Sequence, residues 1–310
     1  MDVDGRSVLY QKIGVTISNM ALSLLSKNVG DRIHSISQYQ EEFGVSRGTI
    51  QNAISYLKEV RAVVLAPHGH LGTYVEWIDY VKLQECCVAQ GLMGIMPLPY
   101  SVTYEGFATA MYEQLKNLRF NMAYARGAVG RMELVESGVY QFAICSQYAV
   151  EHEMKIGKNI EIALNFGAGS FLSRHVLLLR DQNQNGIADG MKVAYDSDSL
   201  DQSQITKNVV KGKRVELVNI PTQQTVTALL EGTIDAGVWN YDDILENHHL
   251  YNLKVVFLNA SEYSDSFSTA VLVIRKDSGY LKKVLEKNIS VSMTLKIQNE
   301  VRSGKRHPFY

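Results

Sequence analysis

Cysteine, net charge and long apolar runs are all scarce in this chain of 310 residues. Its three cysteines, two of them adjacent at Cys86 and Cys87, provide neither a disulfide framework nor spaced zinc ligands. The 31 basic and 32 acidic residues nearly cancel, so the whole chain has no electrostatic attraction for nucleic acid or acidic membranes. No run approaches the ~20 apolar residues of a membrane helix, and residues 1–6 lack the pattern of a signal peptide. We therefore expect a cytoplasmic protein with no membrane partner.

The motifs of common catalytic centres are absent as well. The sequence contains no Gly-x-Ser-x-Gly elbow, no His-Glu-x-x-His zinc motif and no phosphate-binding loop. His248 and His249 are adjacent, so their side chains point to different faces and are not expected to share a metal. Cys145 ends an apolar run and is better interpreted as a packed small side chain than as a nucleophile. These observations argue against an enzyme and predict neither a cofactor nor a metal.

One segment matches the first half of a calcium-binding loop. Residues Asp181 to Asp189 place oxygen-bearing side chains at positions 1, 3 and 5 and a glycine at position 6. Position 12, which should supply a bidentate carboxylate, is Lys192, and both flanks have strand patterns rather than helical ones. A polar turn between two strands explains the composition equally well.

Residues 36–75 have the pattern of a helix, a tight turn, a second helix and a β-hairpin. Ser37 and Gln40 have the spacing of a capping box at the start of the first helix. Gly44 permits the left-handed backbone that ends a helix, and Ser46 can accept the free amide of Thr49 to begin the next.

The second of these helices, residues 47–58, has one apolar face and one polar face. The apolar positions recur at helical spacing: Ile50, Ala53, Ile54 and Leu57. Two apolar runs, residues 62–66 and 73–75, then flank a polar turn and predict a hairpin. A helix-turn-helix with such a wing places its second helix in the major groove of double-stranded DNA. The residues we predict to contact DNA are Ser46, Arg47, Thr49, Gln51, Asn52, His68, Gly69 and His70.

The run Phe43-Gly44-Val45-Ser46-Arg47-Gly48-Thr49-Ile50 resembles the winged-helix head of GntR-type bacterial repressors, and residues 69–75 resemble their glycine-rich wing. With the part of the chain that follows, the sequence resembles the YhfZ-type family of transcriptional regulators, in which such a head precedes a periplasmic-binding-protein-like domain. Gln51-Asn52 stands where GntR-type heads usually have an arginine, and His70-Leu71 where the wing usually has a basic residue. The first 85 residues contain eight Lys or Arg and nine Asp or Glu. Affinity for DNA must therefore come from a few local contacts, from dimerisation, or from both.

From Leu92 onward the pattern changes to alternating strands and helices, which predicts an α/β domain with mostly parallel sheets. The predicted strands are residues 92–96, 120–124, 141–145, 174–180, 191–196, 215–220, 254–258 and 269–275, the last two able to return to the first lobe, and a final helix covers 279–301. The segment LVESGVYQFAI (134–144) returns as ALLEGTIDAGV (228–238), which indicates two similar lobes. The pattern resembles the type 2 periplasmic-binding-protein fold, as in the effector domains of LysR-type regulators. We predict a winged helix-turn-helix domain (1–76), a linker (77–91) and a bilobed α/β effector-binding domain (92–310).

In open α/β sheets, ligands collect beyond the carboxyl ends of the strands, near helix N-termini. Applying this rule to the predicted strands selects mostly hydroxyl side chains, which favour a small polar or anionic metabolite. The predicted ligand-binding residues are Ser101, Thr103, Arg126, Ser146, Ser197, Ser199, Thr222 and Trp239. Each serine or threonine before a helix also has the ordinary interpretation of a helix cap.

Two functions stay open at this point. The sequence favours a cytoplasmic, ligand-responsive transcriptional regulator that binds a DNA operator as a homodimer and senses a metabolite between its lobes. The alternative is an enzyme or metabolite-binding protein in which the winged helix serves only for oligomerisation. The near-neutral head favours the alternative, whereas the Gly-Val-Ser-Arg turn and the wing oppose it.

Overall fold

The structure is a computed structural model that describes residues 12–87, 91–247 and 251–310. The chain forms two compact units, which we call the head unit and the lobed unit. The head unit comprises residues 1–93, 113–121 and 277–290, and the lobed unit comprises 94–112, 122–276 and 291–310. Residues 1–11 of the predicted winged helix-turn-helix domain and the pair His248-His249 lie outside the described residues. In the part of the chain that the structure describes, no helix is both long and apolar enough to cross a membrane.

The head unit contains the helix-turn-helix and its wing. In chain order its N-terminal elements are α1 (Lys12–Leu25), α2 (Ile36–Phe43), α3 (Arg47–Glu59), β1 (Val63–Pro67), β2 (Thr73–Ile78) and α4 (Tyr80–Cys87). Helices α1 and α3 pack together through fully buried side chains that include Met20, Leu24, Ile50 and Leu57. Strands β1 and β2 form the predicted antiparallel hairpin. Helix α4, which falls in the segment predicted as a linker, packs on α1.

The N-cap of α3 and the end of α2 were predicted correctly, whereas the N-cap of α2 was predicted wrongly. Ser46 caps α3 by accepting the amide of Thr49 at 3.3 Å, and Gly44 ends α2 with φ 62°, as predicted. The capping box of α2, however, consists of Ser35 and Gln38 rather than Ser37 and Gln40. Both pairs have the same spacing of three residues, so spacing alone could not distinguish them.

The rest of the chain builds two five-stranded sheets. The strands are β3 (Leu92–Met96), β4 (Phe120–Tyr124), β5 (Phe142–Ser146), β6 (Ile160–Asn165), β7 (His175–Leu179), β8 (Lys192–Tyr195), β9 (Glu216–Asn219), β10 (Ala236–Asn240), β11 (Lys254–Phe257) and β12 (Ala270–Arg275). The helices are α5 (Val102–Gln114), α6 (Ala128–Glu136), α7 (Gln147–Lys155), α8 (Leu200–Val209), α9 (Thr225–Leu230), α10 (Tyr241–Asn247), α11 (Gly279–Asn288) and α12 (Val291–Arg302). The strand order is β4-β3-β5-β12-β6 in the first lobe and β11-β7-β10-β8-β9 in the second.

Both sheets are mixed, so the prediction of mostly parallel sheets was wrong. Strand β8 is parallel to β9 and β10, and β3 is parallel to β5. In contrast, β12 is antiparallel to β5 and β6, and β7 is antiparallel to β10 and β11. The chain crosses between the lobes at residues 166–174 and again at residues 258–269. The strand after each crossing, β7 and then β12, runs antiparallel to its neighbours in the sheet. Strand β11 stays in the second lobe, and only β12 returns to the first.

The final helix also differs from its prediction, because it consists of α11 and α12 with a break at Ile289-Ser290. Helix α11 belongs to the head unit and packs on α1. There Lys287 donates from Nζ to the backbone carbonyls of Leu25 and Lys27, at the end of α1, and to the Tyr80 hydroxyl at 3.1 Å. Its ammonium also lies 4.5 Å from the centre of the Tyr80 ring. A basic residue at this position satisfies carbonyls that the helix cannot pair by itself.

Candidate functional site

The predicted DNA-contacting residues of α3 lie together at its N-terminal half. Arg47, Gln51 and Asn52 are exposed, while the apolar face opposite them is buried. Ser46 and Thr49 bond to each other, with 2.8 Å between their side-chain oxygens, in addition to the cap. This helix therefore presents one cation and two amides to the solvent, on a backbone whose first turn is fixed by the cap.

The predicted wing residues occupy the turn between β1 and β2. His68, Gly69 and His70 are all exposed, and a single turn of 3-10 helix covers Gly69–Leu71. The ring of His68 packs edge-on against Tyr74 with 5.1 Å between centroids. At the end of the turn Gly72 has φ 99°, and a Cβ there would lie 2.5 Å from Arg32 Nε. The turn thus holds a fixed shape, with two imidazoles facing the solvent.

In the lobed unit, the predicted ligand-binding residues lie where strands of the two lobes end. Arg126 follows β4 in the first lobe and donates from Nη2 to Asp196 Oδ2 at 3.1 Å. Asp196 follows β8 in the second lobe and is only 4% exposed. The same oxygen accepts the Thr222 amide at 2.8 Å and its hydroxyl at 2.7 Å. One buried carboxylate therefore brings two of the predicted residues together across the cleft.

Two further aspartates of the second lobe bond to the first in the same way. Ser146 caps α7 and also donates to Asp201 Oδ1 of α8 at 2.8 Å. Thr103 donates to Asp242 Oδ2 of α10 at 3.1 Å, and the amide of Ser173 donates to that oxygen at 3.0 Å. We call Asp196, Asp201 and Asp242 the aspartate ladder.

Sequence reasoning selected the hydroxyls and the arginine that donate to the ladder but missed the acceptors. The signal was present, since Asp196 ends a predicted strand and Asp201 lies five residues after it, in the first turn of α8. Carboxylates at those positions are stabilised by free backbone amides, so their presence alone did not indicate a role across the cleft.

The other predicted ligand residues have local roles. Ser101 is buried and accepts the amide of Tyr104 at 3.5 Å. Ser197 is exposed, and its amide donates to Asn219 Oδ1 at 3.3 Å. Ser199 precedes α8 but makes no side-chain cap. Trp239 was predicted to follow a strand, yet it lies inside β10 and donates from Nε1 to Asp243 Oδ2 at 2.6 Å.

The electrostatics of the cleft are dominated by burial. Burial raises the pKa of Asp201 to about 7, although the bond from Ser146 and the charge of Arg131 act in the opposite direction. Arg131 itself is buried and donates to the backbone carbonyls of Ala125 at 2.8 Å and Ile144 at 3.3 Å. Burial lowers the pKa of His175 to about 4, so its imidazole is neutral at pH 7.

The segment with the calcium-like spacing forms a polar turn between β7 and β8. Asp181 accepts the amide of Asn183 at 2.9 Å, and Asp189 accepts from Arg214 Nε at 3.3 Å. Within residues 12–87, 91–247 and 251–310, no group of three or more His, Cys, Asp or Glu side chains is placed to hold a metal ion. The carboxylates at the two ends of this turn thus have protein partners of their own.

Comparison with known proteins assigns the family. A model of the YhfZ C-terminal domain matches residues 79–310. The chain belongs to the YhfZ family. A helix-turn-helix domain model matches residues 28–75 and confirms that part of the head, without distinguishing a GntR type. The YhfZ protein of Escherichia coli (strain K12) is 28% identical over 310 residues, which cover 98% of this chain and 100% of that protein.

Solved structures confirm the fold of the YhfZ C-terminal part. The crystal structure of YhfZ from Shigella flexneri has a TM-score of 0.60 and 28% identity, over 71% of this chain and 93% of that one. The periplasmic aliphatic sulphonate binding protein SsuA of Escherichia coli has a TM-score of 0.52 and 10% identity, over 69% and 70%. At that identity the likeness to SsuA shows the fold alone. A helix-turn-helix head followed by a domain of the substrate-binding-protein fold is thus the architecture of this YhfZ-family chain.

Proposed function

We propose that this YhfZ-family chain is a cytoplasmic transcriptional regulator that binds an operator as a homodimer and responds to a small polar metabolite in the interlobe cleft. The observation that carries the proposal is the exposed face of α3. Arg47 there can contact phosphate or guanine, and Gln51 and Asn52 can make paired hydrogen bonds to adenine. A helix-turn-helix whose second helix is capped and polar on its outer face is built for the major groove.

The small charge of the head supports the proposal of a dimer. The first 85 residues have one more acidic than basic side chain, so a single head lacks the uniform attraction for phosphate that drives non-specific binding. Two heads that read half-sites about 34–36 Å apart would add their local contacts. His68 and His70 of the wing would then contact the adjacent backbone or minor groove.

The aspartate ladder supports a ligand response in the cleft. Its bonds join the two lobes directly, through Arg126, Ser146 and Thr103. A metabolite that bonds to the same groups would change the relative stability of the arrangements that the lobes can adopt. The size of the response is limited by how differently the metabolite binds those arrangements.

The route from the cleft to the head has a structural candidate in α11. The second crossing, residues 258–269, leads into β12, and the next helix along the chain is α11. Since α11 packs on α1 and Lys287 holds the end of that helix, we propose that lobe movements reach the head through α11 as well as through residues 77–91.

The alternative is an enzyme or a metabolite-binding protein whose helix-turn-helix serves only for oligomerisation. The observation in its favour is the same small charge of the head. The two hypotheses differ in the role of Arg47. A regulator needs this residue to bind its operator, whereas an enzyme or metabolite-binding protein does not need it for its activity.

The deciding experiment selects bound fragments from genomic DNA at about 50 mM and about 150 mM salt, where phosphate contacts change affinity steeply. We expect the full chain to enrich a palindromic site and Arg47→Ala to lose that enrichment. Lys82→Ala removes the same charge from α4 and should bind as the unmodified chain does. If the unmodified chain enriches no site at either salt, the regulator function is refuted and the alternative is favoured.

A further inference from the structure

A row of aromatic rings crosses from one lobe to the other beside the aspartate ladder. Tyr148 of α7 stacks on Phe267 with 4.4 Å between centroids. Phe267 lies 5.5 Å from Tyr263, and Tyr263 lies 5.7 Å from the ring of His175 at the start of β7. We call these four residues the aromatic row. Tyr148 belongs to the first lobe and His175 to the second, while Tyr263 and Phe267 lie in the second crossing.

Asp201 lies at this row. Its Oδ1 accepts from Ser146, which is only two residues before Tyr148, and α8 packs against α7. Burial raises the pKa of the Tyr148 and Tyr263 hydroxyls, and the charge of Asp201 contributes to both rises. The carboxylate and the two rings therefore share one environment.

Among the described residues, no basic nitrogen lies within the 4.0 Å of an ion pair from the Asp201 carboxylate. Both arginines near Asp201 already have hydrogen-bond partners. Arg126 pairs with Asp196, and Arg131 donates to two backbone carbonyls and, at 3.9 Å, to the sulfur of Cys145. The Asp201 carboxylate thus accepts one hydroxyl and is influenced by the charge of Arg131, but it forms no ion pair among the described residues.

A second buried group at the row also lacks a partner. His175 is only 5% exposed, and within the described part of the chain its Nδ1 makes no hydrogen bond. Its side chain lies on the face of β7 that also carries Leu177, and this face packs with Phe267 and Tyr263. Buried polar atoms without partners are uncommon in native proteins and call for an explanation. The nitrogen without a hydrogen bond and the carboxylate without an ion pair thus both lie beside the same row of rings.

We propose that the interlobe cleft binds a small organic amine, whose ammonium pairs with Asp201 beside the aromatic row and whose remaining polar group bonds to His175. An ammonium is a donor only, so it suits a carboxylate that already accepts one hydroxyl. Aromatic faces attract such a cation, most strongly where water is excluded. An anion would meet three aspartates and two arginines that are already bonded. The inference rests on the proposed function only in placing the ligand between the lobes, and it replaces the anionic ligand expected from the hydroxyl-rich sequence.

The test measures binding of matched probes to the full chain by calorimetry and ligand-observed NMR. The probes are primary amines that carry a second polar group, from ethanolamine to tyramine, each compared with the compounds in which an alcohol or a carboxylate replaces the amine. We expect amines alone to bind, and Asp201→Asn to weaken them about tenfold to a hundredfold, the range for loss of a charged hydrogen-bond partner. Asp189→Asn, which neutralises an exposed aspartate of the same lobe, should leave amine affinity unchanged. Tyr148→Leu should weaken binding severalfold, whereas Tyr148→Phe should retain it.

Three results would overturn the inference: preference for the carboxylate probes, amine binding that survives Asp201→Asn, or no binding by any probe. Thermal melts of each variant establish that the chain is folded. The pair Tyr148→Phe and Tyr148→Leu tests the contribution of the aromatic ring to amine binding while the Asp201 carboxylate stays unchanged. Failure here is distinguishable from failure of the regulator function, because selection of operator DNA by the unmodified chain does not depend on the charge of the ligand.

Discussion

Replacing Asp201 with Asn should stabilise the protein at alkaline pH and leave it nearly unchanged in acid. Burial raises the pKa of this carboxyl from near 4 to about 7, so the folded chain holds a proton that the unfolded chain releases. Below pH 4 the group is protonated in both states and costs nothing. Between pH 4 and 7 the unfolded chain gains stability relative to the folded one, and above pH 7 the full cost remains. An asparagine avoids that cost and can still accept from Ser146.

The magnitude follows from the separation of the two pKa values. Three pH units at about 1.4 kcal/mol each set an upper limit of about 4 kcal/mol on the gain in unfolding free energy. Because Asp201 is only partly buried, solvent reduces the effect, and we expect roughly 2 kcal/mol at pH 8.

The assay is denaturant unfolding followed by tryptophan fluorescence in a Trp77→Phe background, so that Trp239 reports on the lobed unit. The titratable groups that interact electrostatically with Asp201 are Arg131, Tyr104, Cys145, Tyr148 and Tyr263. None of them has its ordinary titration between pH 4 and 7. A stability difference that is flat across this window, or one that shrinks as pH rises, would refute the reasoning.

Two further predictions concern the head unit. Ser46→Ala removes the cap of α3 and should lower the free energy of unfolding by about 1 kcal/mol in chemical denaturation, while Ser55→Ala, exposed on the same helix, should change it by less than about half of that. Lys287→Met leaves the carbonyls at the end of α1 without their donor and should cost about 1–3 kcal/mol by the same measurement. Lys283→Met, which removes a cation from the exposed side of α11, is its control, and equal losses in the two variants would contradict the role of Lys287.

The parts of the fold that local chemistry determines were predictable from the sequence. Gly44 and Ser46 act through their own backbone and the next turn, and the strand Leu92–Met96 is a continuous apolar run. Features that depend on distant segments were not predictable. The direction of β7 and β12 depends on which sheet the chain enters after each crossing, and the sequence of a buried strand is similar in either direction.

The residues of the candidate cleft were likewise predictable only in part. Its hydroxyl donors could be selected because they follow strands, whereas the pairing of Ser146 with Asp201 joins residues 55 positions apart. The small polar or anionic ligand expected from the hydroxyl-rich lining stays a prediction, and the bond between Arg126 and the buried Asp196 could not be foreseen from the sequence. The segments α7, β6 and α10 were not predicted, although Ser146 offers a cap for α7.

The membership of α11 in the head unit has a consequence for the modularity of the protein. Residues 277–290 belong to the same unit as residues 1–93 and 113–121, so the head unit is discontinuous in sequence. A fragment that stops after the wing lacks α4, α11 and the lysine that closes α1. A transplant of this head onto another protein would therefore have to carry residues 277–290 as well, which a simple fusion at the end of the wing cannot supply.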